Sequence, residues 1–363
     1  MSPEFWRGKK VFLTGHTGFK GSWAAIWLKM WGADVCGYAL PPNTDPNLFE
    51  IADVAKGIQS IIADIRDFER LKTEVARFKP EIVIHMAAQP LVRYSYDAPI
   101  ETYATNVMGT VHLFEAIRAA GTARVVLNVT SDKCYENREW VWGYRENEPM
   151  GGHDPYSSSK GCSELVTTTY QKSFFNKPDG VALASCRAGN VIGGGDWAQD
   201  RLIPDIVRAY LKDEIVEIRN PDAVRPWQHV LEPVSGYLLL AERLWHYGQE
   251  FTGGWNFGPD QSAARPVREV ADLIARCWGS PRNWKDCSNP AAPHEAKFLF
   301  LDTAKAHIGL GWKPRWALSE TVAATVAWYQ AVARGADARQ LIERQIGDYL
   351  GTSAWPTTPN GLV

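Results

Sequence analysis

Tyr156 and Lys160 stand four residues apart in Tyr156-Ser157-Ser158-Ser159-Lys160, which places both on one face of a helix, one turn apart. A phenol has an ordinary pKa near 10. Serving as a base near pH 7 therefore asks for about 4 kcal/mol of phenolate stabilisation, and an ammonium one turn away, helped by a positively charged cofactor ring, is a source of it. The spacing alone recurs on solvated helices, so its weight comes from its company. Upstream, Val125 to Val129 reads as a strand that delivers Ser131-Asp132-Lys133 at its carboxyl end. Ser131 can donate to a substrate oxygen. Asp132 and Lys133 set an acid and a base side by side, the equipment of an elimination, and which of them gives or takes a proton stays open at this point.

A second set concerns phosphate. Val11 to Thr14 leads into Gly15-His16-Thr17-Gly18-Phe19-Lys20-Gly21-Ser22, three glycines at three-residue spacing between a strand and a helix. A pyrophosphate can rest on a helix N-terminus only if the backbone comes close, and glycine both permits the tight turn and removes the side chain in the way. Gly15, Thr17, Gly18, Phe19 and Gly21 are the candidate contacts. Asp64-Ile65 after the third strand and Ala87-Ala88-Gln89 after the fourth would border a dinucleotide lying across the strand ends. The second strand ends in Gly37-Tyr38-Ala39-Leu40, with neither an acid for a ribose 2′-hydroxyl nor a base for a 2′-phosphate. NAD is expected and NADP stays open, with His16 and Lys20 able to add positive charge near a phosphate. Further on, Asn190 and the planar fork of Arg225 are candidates to grip a substrate diphosphate, and Arg201, Leu202 and Ile203 are candidates for the pocket of its base.

These residues need a scaffold of alternating strands and helices. Strands are predicted at Lys10 to Thr14, Asp34 to Ala39, Gly57 to Ile62, Ile82 to Met86, Val125 to Val129 and Val181 to Arg187, with helices at Ser22 to Trp31, Phe68 to Phe78, Pro99 to Ala120 and Ser157 to Phe175. That is an α/β fold, a doubly wound parallel sheet of Rossmann type. Past Arg187 the alternation stops at Gly193-Gly194-Gly195-Asp196-Trp197, which suggests a smaller C-terminal substrate-binding lobe. Leu231 to Trp245 reads as a helix returning to the sheet, and Gly253 to Pro259 as turn. The expected division is 1–190 for the dinucleotide-binding domain, with 229–250 packing back on it, and 191–228 plus 251–363 for the smaller one, ending in a loose tail from Thr352.

Composition agrees. A chain of 363 residues with 45% hydrophobic and 22% charged residues supports an ordinary globular core in two lobes. The net charge of −2 and scattered Lys and Arg argue against nucleic acid as a partner. Six cysteines without a C-x-x-C pair argue against metal clusters and disulfide frameworks, and no metal is expected. A polar N-terminus and the lack of a run of roughly 18 apolar residues predict neither a signal peptide nor a membrane span, and the cysteine usage predicts a reducing cytoplasm. Trp23, Trp27 and Trp31 recur at helical spacing and are assigned to packing.

Taken together, Gly15-x-x-Gly18-x-x-Gly21, Ser131 with Tyr156-x-x-x-Lys160, and Arg187-x-x-Asn190 resemble the extended short-chain dehydrogenase/reductases that act on nucleotide sugars, over nearly the whole chain. Four longer strings resemble the CDP-sugar 4,6-dehydratase branch: Gly15 to Gly21, Thr130-Ser131-Asp132-Lys133-Cys134-Tyr135, Gly193 to Trp197, and Arg225-Pro226-Trp227-Gln228-His229-Val230-Leu231-Glu232-Pro233. The resemblance implies CDP-glucose as substrate, NAD as cofactor with Asn106, Tyr156 and Lys160 beside it, and a homodimer formed through the helices that carry Asn106 and Tyr156. It also implies a place in deoxysugar synthesis for bacterial surface polysaccharide. Relatives acting on dTDP-glucose usually carry Thr-Asp-Glu where this chain has Ser131-Asp132-Lys133. The competing readings are a nucleotide-sugar 4-epimerase, which does not need the Asp132 and Lys133 pair, and a dinucleotide-binding scaffold without catalysis, which does not need Ser131, Tyr156 and Lys160 together.

Overall fold

A computed structural model describes residues 1–178, 180–279, 284–288 and 298–352. The tail expected to be loose beyond Thr352 lies outside the described residues. Seven strands form one sheet: β1 (Lys10–Thr14), β2 (Asp34–Ala39), β3 (Gln59–Ile62), β4 (Ile82–His85), β5 (Val125–Val129), β6 (Ala182–Ala188) and β7 (Gly253–Phe257). Their order is β7-β6-β5-β4-β1-β2-β3 and every pairing is parallel. Strand succession therefore reverses between β1 and β4, and ligands of open parallel sheets bind at the carboxyl ends beside such a reversal.

The helices are α1 (Phe19–Met30), α2 (Phe68–Phe78), α3 (Gly109–Ala120), α4 (Pro155–Ser173), α5 (Leu202–Leu211), α6 (Leu231–Tyr247), α7 (Val267–Trp278), α8 (Leu318–Ala333) and α9 (Ala338–Leu350), of which α2, α3 and α4 cover one face of the sheet and α1 and α6 the other. Strands β1, β4 and β5 are buried on both sides, which is why they read as unbroken apolar runs. The helix predicted from Pro99 to Ala120 is three joined pieces, Pro99–Tyr103, a π-helical turn Ala104–Met108 that holds Asn106, and α3. Trp23, Trp27 and Trp31 are buried in the core, as their spacing predicts. Among the described residues no helix is long and apolar enough to cross a membrane.

One segment departs from expectation. Gly253–Phe257 was expected as turn and is the seventh strand, paired with β6. Its glycines mark a tight approach: a β-carbon on Gly254 would lie 2.5 Å from the Arg187 guanidinium. The segment 251–363, expected to belong wholly to a smaller lobe, thus lends the large body this strand, and also α9, whose Tyr349 packs edge-on against Trp27 of α1 at 5.9 Å. Among the described residues three short two-stranded ladders lie outside the main sheet, Val191–Ile192 with Gln228–His229, Val224–Pro226 with Ala264–Pro266, and Glu217–Ile218 with Lys285–Asp286.

The glycine run after β6 is explained by packing. A β-carbon on Gly194 would sit 2.1 Å from the Trp328 ring, and one on Gly195, whose φ is +87°, would sit 2.4 Å from Leu48. Trp23 Nε1 donates to the Gly194 carbonyl at 3.0 Å, and Tyr329 Oη to the Asp196 carbonyl at 2.5 Å. The chain is thus pinned between α1 and α8 as it leaves the sheet. Gly194→Ala should destabilise the protein by about 1–3 kcal/mol, the usual cost of overpacking a tight core position. Urea unfolding followed by tryptophan fluorescence checks this, and an unchanged midpoint would contradict the packing account.

Candidate active site

One cavity of about 810 Å³ lies over the carboxyl ends of β1, β4, β5 and β6. Its floor is the turn from β1 into α1. Gly18 N donates to the Gly15 carbonyl at 3.1 Å and Ser22 Oγ to the His16 carbonyl at 3.1 Å. Gly15 has φ +79°, and a β-carbon on Gly21 would lie 2.0 Å from the Gly15 carbonyl oxygen. Thr14 Oγ1 accepts from the amides of Met86 and Ala87, both at 3.1 Å, and so joins the ends of β1 and β4 beneath the turn. The amino end of α1 is left bare at the cavity, as a dinucleotide phosphate requires.

The strand end of β5 supplies the reactive wall. Ser131 caps a short helical turn, Asp132–Cys134, by accepting from Lys133 N at 3.2 Å, and its hydroxyl donates to Asp132 Oδ1 at 3.0 Å. Asp132 is buried, and desolvation raises its carboxyl against the pull of Lys133, Ser131 and Arg225. Across from it α4 starts with Asp154 as cap, its carboxylate accepting from Ser157 N at 2.9 Å, so that Tyr156 and Lys160 both face the cavity. Burial lowers Lys160 to about 8, with Glu164 opposing. Burial pushes Tyr156 up to about 12, against hydrogen bonding with Ser131. Desolvation thus outweighs the groups that the chain itself places around the phenol.

Of the residues singled out in the sequence, Gly15, Thr17, Gly18, Phe19, Gly21, Ile65, Ala87, Ala88, Ser131, Asp132, Lys133, Tyr156, Lys160, Asn190, Arg201, Leu202, Ile203 and Arg225 line this cavity. Three others stand behind its wall. Asp64 is held by Arg66 through a double hydrogen bond at 2.6 and 2.9 Å, so its carboxylate is already engaged. Asn106 donates to the Gln89 carbonyl at 3.0 Å and to Ser159 Oγ at 2.8 Å, and its own oxygen accepts from Gln89 N at 2.8 Å. The Asn106 side chain thus ties the segment after β4 to α4, while the Gln89 side chain donates to Thr102 Oγ1 at 2.9 Å and accepts from Leu91 N at 2.5 Å. His16 does not add charge to the turn either. Its ring packs where a β-carbon on Gly37 would be, Nε2 lies 2.8 Å from Ser60 Oγ, and burial lowers it to about 4. Arg201 pairs with Asp196 at 2.8 Å at the cavity edge.

The profile of the GDP-mannose 4,6 dehydratase family matches residues 12–256. A CDP-glucose 4,6-dehydratase of Salmonella typhimurium is 57% identical over 358 residues, covering 97% of this chain and 99% of the relative. The chain belongs to the GDP-mannose 4,6-dehydratase family. A dTDP-glucose 4,6-dehydratase of Actinoplanes is 25% identical over 342 residues, 89% of this chain and 98% of the relative. Among solved structures, a dTDP-glucose 4,6-dehydratase from Bacillus anthracis in complex with NAD matches with a TM-score of 0.76 at 20% identity, over 90% of this chain and 98% of that one. A UDP-glucose 4-epimerase from Thermotoga maritima matches at 0.76 and 21% identity, over 89% and 99%. Those two likenesses concern the Rossmann-type fold.

Within this member of the GDP-mannose 4,6-dehydratase family, two features of the site were not read from sequence. Lys20 does carry charge into the cavity, but at its reactive end: the ammonium lies 5.7 Å from the Tyr237 ring, and burial, then Arg201 and Lys160, lower it to about 8 while Asp132 opposes. Glu164, one turn beyond Lys160, is buried and bonded to Arg187, and only its place on an otherwise Ser/Thr-rich helix could have drawn attention to it. The residues of the β1 turn fit a dinucleotide because its two closest backbone segments leave no room for a side chain. Gly21→Ala should abolish tight NAD binding, read as quenching of tryptophan fluorescence, while far-ultraviolet circular dichroism is kept. Unaltered affinity would contradict the close-approach argument.

Proposed function

We propose that this protein is an NAD-dependent CDP-glucose 4,6-dehydratase, a lyase that forms CDP-4-keto-6-deoxyglucose and water. The observation that carries the reading is the 57% identity over nearly full length to a CDP-glucose 4,6-dehydratase, in a chain whose Ser131, Asp132, Lys133, Tyr156 and Lys160 share one cavity. When bound, the dinucleotide supplies the hydride acceptor for C4 and the hydride donor for C6.

The chain's own groups handle protons. Tyr156 Oη takes the proton of the C4 hydroxyl, with Ser131 Oγ hydrogen-bonding to the same oxygen and Lys160 Nζ holding positive charge beside the phenol. The resulting ketone acidifies C5. Lys133 Nζ, or another base at the cavity, removes the C5 proton, and the Asp132 carboxyl protonates the C6 hydroxyl so that water leaves. Burial suits Asp132 to this, because it favours the protonated acid. A proton then returns to C5. Asn190 and Arg225 bind the diphosphate, and Arg201, Leu202 and Ile203 border the base. The product's ketone and missing 6-hydroxyl suit it to enzymes that make deoxysugars, in keeping with a cytoplasmic role in surface-polysaccharide synthesis.

Protein given CDP-glucose and catalytic NAD should produce a nucleotide sugar lighter by one water, without net NADH. Asp132→Asn should bind the nucleotide sugar and lose water on the order of 100-fold more slowly, the usual share of a general acid. Full activity in that variant would remove Asp132 from its role, and unchanged mass with a new stereoisomer would favour the epimerase.

We also propose a homodimer through Pro99 to Ala120 and α4. Support comes from the apolar side chains these helices expose, Ile100 at 86% and Leu165 at 59% among them. Leu165→Glu with Ile100→Glu should halve the mass seen in sedimentation equilibrium, and an unchanged mass would place the contact elsewhere.

A further inference from the structure

Two charged side chains that the reaction above does not use are buried behind the catalytic turn. Glu164 of α4 is 2% exposed and Arg187 of β6 is 5% exposed. Arg187 donates from Nε to Glu164 Oε1 at 2.9 Å and from Nη2 to Oε2 at 2.7 Å, a two-point match of guanidinium to carboxylate. The same oxygens accept from Thr130 Oγ1 and, at 2.6 Å, from Ser185 Oγ. The remaining arm of Arg187, Nη1, donates to Tyr135 Oη at 2.6 Å and to the Glu146 carbonyl at 3.0 Å, and Tyr135 Oη donates to Asn256 Oδ1 of β7 at 2.8 Å.

The connectivity is informative. Thr130 directly precedes Ser131, and Tyr135 directly follows Cys134. Both ends of the turn that presents Ser131, Asp132 and Lys133 are therefore tied to one ion pair, and that pair is rooted in the helix that presents Tyr156 and Lys160. A buried ion pair is a poor way to gain stability, since an apolar pair of equal size commonly does as well or better. Its directional hydrogen bonds can, however, set a distance between two elements.

We propose that the Glu164–Arg187 pair is the positioning device of this active site, holding the Ser131-Asp132-Lys133 turn in register with Tyr156 and Lys160. The inference rests on the dehydratase reading for the reaction it affects, while the pH course of NAD affinity is read apart from that reaction. Lys160 is faced by Glu164 on its own helix, Cys134 on the turn, Lys20 on α1 and His85 on β4, and Tyr156, one turn before it, lines the same cavity. Burial lowers His85 to about 3, so it is neutral near pH 7. Burial also raises the Cys134 thiol and Tyr156, so neither is an anion there, and Glu164 is the anion that opposes desolvation of Lys160. Desolvation alone would raise Glu164, but Arg187 and the hydrogen bonds around it hold the carboxyl below the usual range. Lys160 is charged below its pKa of about 8 and neutral above it. Removing the Glu164 charge weakens what opposes desolvation and moves that loss to lower pH.

The test compares wild type, Glu164→Gln, Glu164→Asp and the double variant Glu164→Gln with Arg187→Met, by CDP-glucose kinetics and by NAD affinity across pH. Glu164→Gln should lower kcat on the order of 10–100-fold with KM nearly unchanged, the signature of misplaced groups rather than lost binding. Its NAD affinity should fall at lower pH than in wild type, and Glu164→Asp should recover part of both. The double variant leaves no uncompensated charge, so it carries the kcat comparison if Glu164→Gln does not fold. Wild type that binds NAD but never dehydrates CDP-glucose would defeat the dehydratase reading, while the pH course of NAD affinity would still decide the role of Glu164. Folded Glu164→Gln with kcat and that pH course both unchanged would overturn the proposal.

Discussion

Gly21 comes so close to Gly15 that a β-carbon would lie 2.0 Å from the Gly15 carbonyl oxygen, and this backbone contact sets where α1 begins relative to β1. From it follow the bare helix end at the cavity, the entry of Lys20 into the reactive region one residue earlier, and the room between the β1 turn and the β5 turn that a ligand would share. Thr14 extends the same constraint sideways by accepting from the first two amides after β4. The reversal of strand order between β1 and β4 opens the crevice, and these contacts shape it.

The opposite wall obeys electrostatics more than sterics. Lys20, Asp132, Tyr156 and Lys160 are all desolvated, and desolvation favours the neutral form of each. Such a wall holds protons loosely on its lysines and tightly on its acid and its phenol, which is a suitable starting point for chemistry that moves protons between adjacent sugar carbons. Glu164 opposes the same tendency at Lys160. Charge at the site is thus set first by removal from solvent and then by buried neighbours.

Much of this was legible in the chain. The bounds of β1, β2 and β5 coincide with their predicted runs, because strands buried on both sides read as unbroken apolar segments. Tyr156, Lys160 and Ser131 were legible because local spacing and strand ends determine them. What depended on distant partners was not. Gly253–Phe257 looked like turn since its glycines give way to Arg187, a residue of another strand. Asp64 and Asn106 had suitable types and places, yet Arg66 and Gln89 had already claimed them. Glu164 gave no more signal than its place on a Ser/Thr-rich helix, because its partners, Thr130, Ser185 and Arg187, meet it only in the folded sheet.

The central claim is that one sugar is oxidised at C4, loses water and recovers the same hydride at C6. CDP-glucose carrying deuterium at C4 tests it most directly, with the product's label located by NMR after turnover on this protein in ordinary water. The account predicts deuterium at C6 of a 4-keto-6-deoxy product. Deuterium retained at C4 of an unoxidised stereoisomer would contradict it.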